Sequence, residues 1–366
     1  MDQRSIIFLV SNDISTDARL HRTVRALSQA GYACLVNGRK LKSSPSVPQD
    51  IAHKRYKLWF NSGFLFYLFL NLKFALSIKS SRSSLIYAND TDSLLGAYLG
   101  KLFSSRRIIF DAHEYFSEVP ELQGKPLKQK LWQRVEELVI PKASICITVS
   151  NLVAKAYEER FQLKFHVIRN INDIQHSKLI SIQLPDQYIL YQGVLNLGRG
   201  IELMIDSLNE LDESIHLVIV GTGDIEKDLK VKAELSPNNK RIHFTGRLSP
   251  EEVHGITEKA LLGLSLEEDL GFNYRAALPN KIFSYLHAEI PCVCSALPEM
   301  SSLVLSQQIG EVVEDRTPES VAKTIQLVLS KREAYLPHIV KAKQEINWAA
   351  ESEKLVGLIN HVQDIS

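Results

Sequence analysis

The sequence predicts an α/β chain built as two Rossmann-like, doubly wound domains that face each other across a central cleft. Short apolar runs alternate with helical patterns almost from end to end, the signature of parallel sheets covered on both faces. A polar, proline-containing break, "ISIQLPDQY" at 180–188, separates two strand-rich halves. The length, 366 residues, is that of two domains rather than one.

Taken in order, the strands of the first half are "SIIFLV", "YACLVN", "SLIYA", "RIIFDA", "SICITV" and "FHVIRN". Between the first two lies "DARLHRTVRALSQAG", with Leu20, Val24 and Leu27 on one helical face and Gly31 as its stop signal. The stretch "LWFNSGFLFYLFLNLKFALSIK" is interrupted by Asn61, Asn71 and Lys73, whereas a spanning helix wants about 20 mostly apolar residues. It is expected as a helix packed on the first sheet. The basic residues around it (Lys54, Arg55, Lys57, Lys79 and Arg82) leave peripheral membrane contact open. The second half offers "YILYQG", "HLVIVG", "RIHFTG", "LLGLSL", "PCVCSA" and "GEVVE", and a long helical pattern follows Pro337. Right-handed crossovers make each half doubly wound, with ligands expected at the carboxyl ends of the strands.

Composition narrows the function. A net charge of +1 argues against a polyanion binder, so no nucleic acid is expected as partner. Cys34, Cys146, Cys292 and Cys294 each sit in an apolar run without a second ligand pair, as reduced core residues of a cytoplasmic protein do. No secretory signal is expected at the start, where "RSIIFLVSND" reads as a strand.

Five stretches could carry chemistry. "FDAHEYFSEVPEL" puts Asp111, His113 and Glu114 directly after a strand, where a His can bond a substrate hydroxyl while a carboxylate orients it. A capped loop explains the same residues equally well. In "YANDTDSLLGAYLG", Asp90-Thr91-Asp92 opens a helix, and side-chain capping is favoured there over metal binding. "VIVGTGDIEKDL" sets Gly221 and Gly223 between strand and helix with Asp224 as cap; a ligand approach and a tight turn both fit. "YQGVLNLGRGIELMI" puts Arg199 between glycines at a helix start, a position that suits a phosphate. In "LPNKIFSY", Pro279 stands at an expected first helical position and Lys281 sits against the positive end of the helix dipole. A bound diphosphate would remove that mismatch.

Together these stretches resemble the retaining GT-B glycosyltransferases of the GT4 family. The resemblance runs over nearly the whole chain, through "SNDISTDARLHRTVRALSQAGY", "FDAHEYFSEVPEL" and "CITVSNLVAKAY" in the first half. In the second it runs through "YQGVLNLGRGIELMIDSL", "LVIVGTGD", "IHFTGRLSPEEV" and "LPNKIFSYLHAEIPCVCSALPEM". It implies an acceptor-binding domain at 1–182 and a nucleotide-sugar-binding domain at 183–344, with a closing helix at about 345–366 packed back on the first. The implied catalytic residues are His113, Arg199 and Lys281. The implied donor-binding residues are Gly193, Gly221, Gly223, Gly246, Arg247, Glu267, Glu268, Asn280 and Ser284, and the acceptor side holds Asn12, Asp13, Asp90, Asp111 and Glu114.

By the same resemblance, Arg199 neutralises the donor diphosphate, His113 reaches the transferred sugar, and Gly246-Arg247 lies along the base. The implied partners are a nucleotide sugar and a glycan or lipid-linked acceptor, with no metal and no further cofactor. The chain departs from the family's pattern in three places. Val194 stands where a second Arg is frequent, and Ala276 and Ser284 stand where paired glutamates are usual. Glu267 and Glu268 are the candidates to replace the sugar-facing acid. A catalytically weakened binding protein of the same fold therefore stays open, as does a sugar-nucleotide epimerase or hydrolase.

Overall fold

In a computed structural model, which describes residues 4–102, 104–119, 122, 124–172, 178 and 182–364, each expected apolar run becomes a strand, and every strand pairs in parallel. The amino-terminal unit takes β1 (Ser5–Asp13), α1 (Ala18–Gln29), β2 (Ala33–Arg39), β3 (His53–Tyr56), α2 (Gly63–Ser80), β4 (Leu85–Asn89) and α3 (Thr91–Lys101). It continues with β5 (Arg107–Ala112), α4 (Pro126–Val139), β6 (Ile145–Thr148), α5 (Asn151–Phe161) and β7 (Phe165–Val167). Its seven strands lie in the order β3-β2-β1-β4-β5-β6-β7. Ile7 pairs with Leu35 on one side and Ile86 on the other. The chain order reverses at β1/β4, which sets the ends of those strands, around Asp13 and Asn89, at a topological switch point.

The second unit repeats the plan with β8 (Tyr188–Gln192), α6 (Ile201–Ser207), β9 (His216–Val220), α7 (Glu226–Leu235), β10 (Ile242–Gly246), α8 (Pro250–Lys259) and β11 (Leu262–Ser265). There follow α9 (Phe272–Arg275), α10 (Asn280–His287), β12 (Cys292–Ser295), α11 (Pro298–Gln307), β13 (Gly310–Val313), α12 (Pro318–Ser330) and α13 (Arg332–Glu345), after which α14 (Trp348–Asp364) leaves this unit. Its six strands run β10-β9-β8-β11-β12-β13, so the switch lies at β8/β11. The strands are buried on both faces, with Ile189, Leu190, Val218, Ile219 and Leu264 at the centre of one apolar core. Near-continuous apolar strands are what such burial demands.

The structure differs from the sequence reading in three places. The division between units falls at Asn170, earlier than the break expected between 182 and 183; residues 180 and 181 of that break lie outside the described ones. Strand β3, "HKRY", is an edge strand paired only to β2, and its polar residues carry no apolar signal. Pro337 lies inside α13 rather than before the helix, and the pattern breaks instead at Ile346–Asn347, where Asn347 Oδ1 accepts from the Ala350 amide at 3.0 Å.

Residues 351–364 group with the amino-terminal unit. Leu355, Ile359 and Val362 are buried there, and Asn360 Oδ1 accepts from Tyr32 Oη at 2.8 Å and from Arg4 at 3.2 Å.

Candidate active site

Each switch point gathers polar side chains in an otherwise apolar sheet. In the amino-terminal unit, β5 ends in Asp111, which is fully buried and gripped by Arg19 at the start of α1: Nη2 donates to Oδ1 at 2.8 Å and Nε to Oδ2 at 3.3 Å. Tyr87 Oη donates to Oδ2 at 2.8 Å. Burial opposes the charge on Asp111, but Arg19 and His113 hold its carboxyl well below the usual range. Its oxygens are taken. Asp111 is thus an anchor for its neighbours rather than a surface for an acceptor.

His113 lies just past β5 between two carboxylates. Nδ1 is 3.2 Å from Asp90 Oδ2 and Nε2 is 3.5 Å from Asp111 Oδ2. Burial disfavours the imidazolium, yet Asp90 and then Asp111 outweigh it and push the pKa up to about 10. At neutral pH His113 is therefore a cation and a donor, unable to act as a base. Its side chain is about one fifth exposed, while Nε2 itself is buried.

The segment Asp90-Thr91-Asp92 departs from the capping expected of it. Asp90 precedes α3 without a side-chain cap; its carboxylate accepts from the His113 amide at 2.8 Å instead. The backbone at Asp90 has φ +59° and ψ 166°, a region that glycine ordinarily occupies and that costs of order 1–3 kcal/mol elsewhere. Thr91 Oγ1 donates to buried Glu136 at 3.0 Å. Asp92 accepts from Ser11 Oγ, and burial followed by the charge of Asp90 pushes its carboxyl up to about 7. Asp13 is drawn away as well, accepting from the Ser15 amide at 3.0 Å and from Ser44 Oγ. Asn12 and Glu114 are exposed at the ends of β1 and β5. Among the described residues, no three His, Cys, Asp or Glu side chains are grouped to hold a metal ion.

In the second unit, Lys281 and Arg199 converge on one carboxylate at the β8/β11 switch. Lys281 Nζ pairs with Glu267 Oε1, and Arg199 Nη1 stands 3.7 Å from the same oxygen. Ser265 Oγ donates to Glu267 Oε2 at 2.7 Å, and the Lys281 ammonium lies 4.6 Å from the centre of the Tyr191 ring. Burial opposes the charge on Glu267, but Lys281 and Ser265 hold its carboxyl below the ordinary value. Lys281 is buried whereas Arg199 is about a third exposed. The first-turn mismatch read from the sequence is thus answered inside the protein: Glu267 is the counter-charge of Lys281. Glu268 turns outward toward Arg316 at 3.7 Å, and Arg316 Nη1 donates to the Leu266 and Glu267 carbonyls at 3.0 Å each.

The glycines around this cluster answer to the backbone. A Cβ at Gly221, which has φ +136°, would stand 1.9 Å from the Gly193 carbonyl oxygen, and one at Gly200 would stand 2.0 Å from that of Leu266. Gly223 abuts Leu195 in the same way. Tight loop packing, and not only room for a ligand, explains them. Gly246 and exposed Arg247 end β10. Asp224 does not cap α7, since its amide donates to Asn196 Oδ1 and Ile225 takes the cap position. Pro279 is the cap of α10 rather than its first residue, leaving exposed Asn280 to open the helix. Ser284 Oγ donates to the Asn280 carbonyl at 3.1 Å. Ala276 is buried, so a glutamate there would need a partner for its charge.

Sequence reasoning passed over Arg19, Tyr191 and Arg316. Arg19 falls inside an amphipathic helix pattern, where nothing local marks it as the buried partner of Asp111.

Comparison with known proteins bears on the family and the fold. Residues 18–176 match the family model described as Glycosyltransferase Family 4, and residues 174–345 match that of Glycosyl transferases group 1. No curated protein matches the chain in sequence. Among solved structures, sucrose-phosphate synthase from Thermosynechococcus elongatus has a TM-score of 0.76 at 16% identity, over 99% of this chain and 100% of that one. Anabaena HepE in complex with UDP gives 0.74 at 15% identity, over 98% and 100%. WaaG, a glycosyltransferase involved in lipopolysaccharide biosynthesis, gives 0.71 at 14% identity, over 97% and 99%. At such identities the structures speak for the fold alone, while the paired sequence models cover both units. The chain belongs to the GT4-type glycosyltransferases of the GT-B fold.

Proposed function

We propose that the chain transfers a sugar from a nucleoside-diphosphate sugar to a glycan or lipid-linked acceptor, with retention of anomeric configuration and without a metal ion. The observation that carries this reading is the convergence of Arg199 and Lys281 on Glu267 at the β8/β11 switch. Two cations against one carboxylate leave a net positive charge at the place where open α/β sheets take ligands. Arg199, the exposed member, meets the diphosphate; Lys281 acts from beneath, beside the amino end of α10. As the sugar–phosphate bond breaks, these groups stabilise charge growing on the leaving phosphate, the kind of preorganised field that usually contributes most to rate.

The acceptor oxygen bonds the anomeric carbon on the face from which the phosphate departs and gives its proton to the leaving phosphate oxygen, which preserves configuration. The resemblance gives His113 a hydroxyl of the transferred sugar; to donate to it, the cation would turn one N–H away from Asp90 or Asp111. The crystallised complex of HepE with UDP supports a nucleotide donor, and the lipopolysaccharide role of WaaG supports assembly of a surface polysaccharide. Four free cysteines, three of them buried, suit a cytoplasmic enzyme at the inner face of the membrane.

The test is product analysis with candidate sugar nucleotides in the presence of EDTA. A new glycoside of unchanged anomeric configuration supports the reading; free or isomerised sugar would assign a hydrolase or an epimerase, and no turnover a binding protein. Arg199→Ala is expected to lower kcat by about 100-fold or more while the fold stays intact. An active variant would remove Arg199 from its role.

A further inference from the structure

Helix α2 is apolar on both faces, and the protein uses one of them. Phe66, Leu70, Phe74 and Ile78 point inward and are buried. On the opposite side Leu65, Phe69, Leu72 and Leu76 are exposed, Leu76 by 63%. The turn before the helix adds Trp59, 97% exposed, and Phe60, whose ring stacks on Phe69 at 6.1 Å. Single exposed apolar side chains are ordinary, but a contiguous row of large ones marks a surface that something covers. A surface helix normally turns a polar face to water. This one does not.

The charges around the row say what covers it. Residues 53–82 hold Lys54, Arg55, Lys57, Lys73, Lys79 and Arg82 and no Asp or Glu, in a chain whose total charge is only +1. An apolar face whose own stretch of chain carries only cations is complementary to a layer with hydrocarbon inside and anionic groups at its surface. Trp59, with its amphipathic ring, belongs at that boundary.

By length and composition α2 could cross a membrane, yet 39% of it is buried inside the protein. Asn71 fastens that inner side to α3: its Nδ2 donates to the Asp92 carbonyl at 2.8 Å, and its Oδ1 accepts from the Gly96 amide at 2.6 Å. A spanning pose would break these bonds and expose the core. We propose that the outward face of α2, together with Trp59 and Phe60, is a docking surface for an anionic lipid bilayer, on which the amino-terminal unit rests without crossing it.

The experiment is flotation of the full chain with vesicles of phosphatidylcholine alone and of phosphatidylcholine mixed equally with phosphatidylglycerol. The protein is expected to float with the anionic vesicles only, and less so as salt rises. Trp59→Gln with Phe69→Gln and Leu76→Gln, and separately Lys54→Glu with Lys57→Glu, are each expected to reduce the bound fraction at least about tenfold. All five residues lie outside the core, so far-ultraviolet circular dichroism and melting should match the parent, and nucleotide binding by the second unit should be unchanged. That last readout separates failure of this surface from failure of the transfer reaction. Protein left at the bottom with both vesicles overturns the proposal, as does binding that the apolar substitutions leave intact. A dimer in sedimentation that those substitutions dissolve would assign the face to a second copy and overturn it equally.

Discussion

His113 shows how two neighbours decide what a residue can do. A free imidazole titrates near neutrality, but here the pKa is pushed up to about 10 by Asp90 and Asp111. Because the folded value lies above the unfolded one, the charged cluster's contribution to stability is complete below about pH 6.5 and is lost as pH rises through about 10. Activity that depends on the cation should persist through neutral pH and fall on the same alkaline limb. Asp90→Asn should move that limb and the imidazole titration, followed by NMR, to lower pH; an unchanged titration would break the assignment.

Asp92 runs the other way. Its carboxyl is pushed up to about 7, so stability falls as pH rises from about 4 to about 7, where the buried group ionises. Its Oδ1 has no hydrogen-bond partner, which adds to the cost above pH 7. Asp92→Asn should therefore stabilise the amino-terminal unit at pH 8 by on the order of 1–3 kcal/mol, read by denaturant unfolding, and flatten its pH dependence.

At the scale of elements, the loops at the strand ends are packed as closely as the sheets. The Gly193 amide donates to the Val220 carbonyl at 2.9 Å, and that of Gly221 to the Gly246 carbonyl at 2.9 Å. This floor of loop bonds ties the ends of β8, β9 and β10 together, and the Glu268 amide, donating to the Gly198 carbonyl at 2.9 Å, joins the Arg199 loop to the end of β11. Gly221→Ala should destabilise the second unit by more than about 1 kcal/mol, since φ +136° and the Gly193 oxygen both exclude a methyl group. Thermal unfolding checks it. Wild-type stability would show that the floor yields.

For the whole molecule, the two units offer separate readouts. A nucleoside diphosphate bound by the second unit at about 100 times its dissociation constant adds roughly 2.7 kcal/mol to that unit. In scans with UDP, GDP, ADP and CMP, one of them should raise the transition assigned to the second unit by a few degrees, with or without EDTA. A shift requiring a divalent ion would overturn the metal-free reaction; no shift with any nucleotide would favour a binding protein, with Ala276 and Ser284 as lost contacts.

The sequence alone was enough to determine the α/β class and the apolar strands, because these depend on local patterns: continuous apolar runs for strands buried on both faces, with glycines at their ends. Polar "HKRY" escaped such reading because an edge strand has no second neighbour to enforce a pattern. The partners of the charged groups were decided by the tertiary structure. Lys281 meets Glu267 fourteen positions earlier in the chain, and Asp90 turns from its own helix to His113. Arg19 reaches Asp111 across the sheet. Whether a carboxylate caps a helix, holds a histidine or faces a substrate depends on which opposite charge burial brings within a few ångströms. That distance is set by packing, and no local pattern carries it.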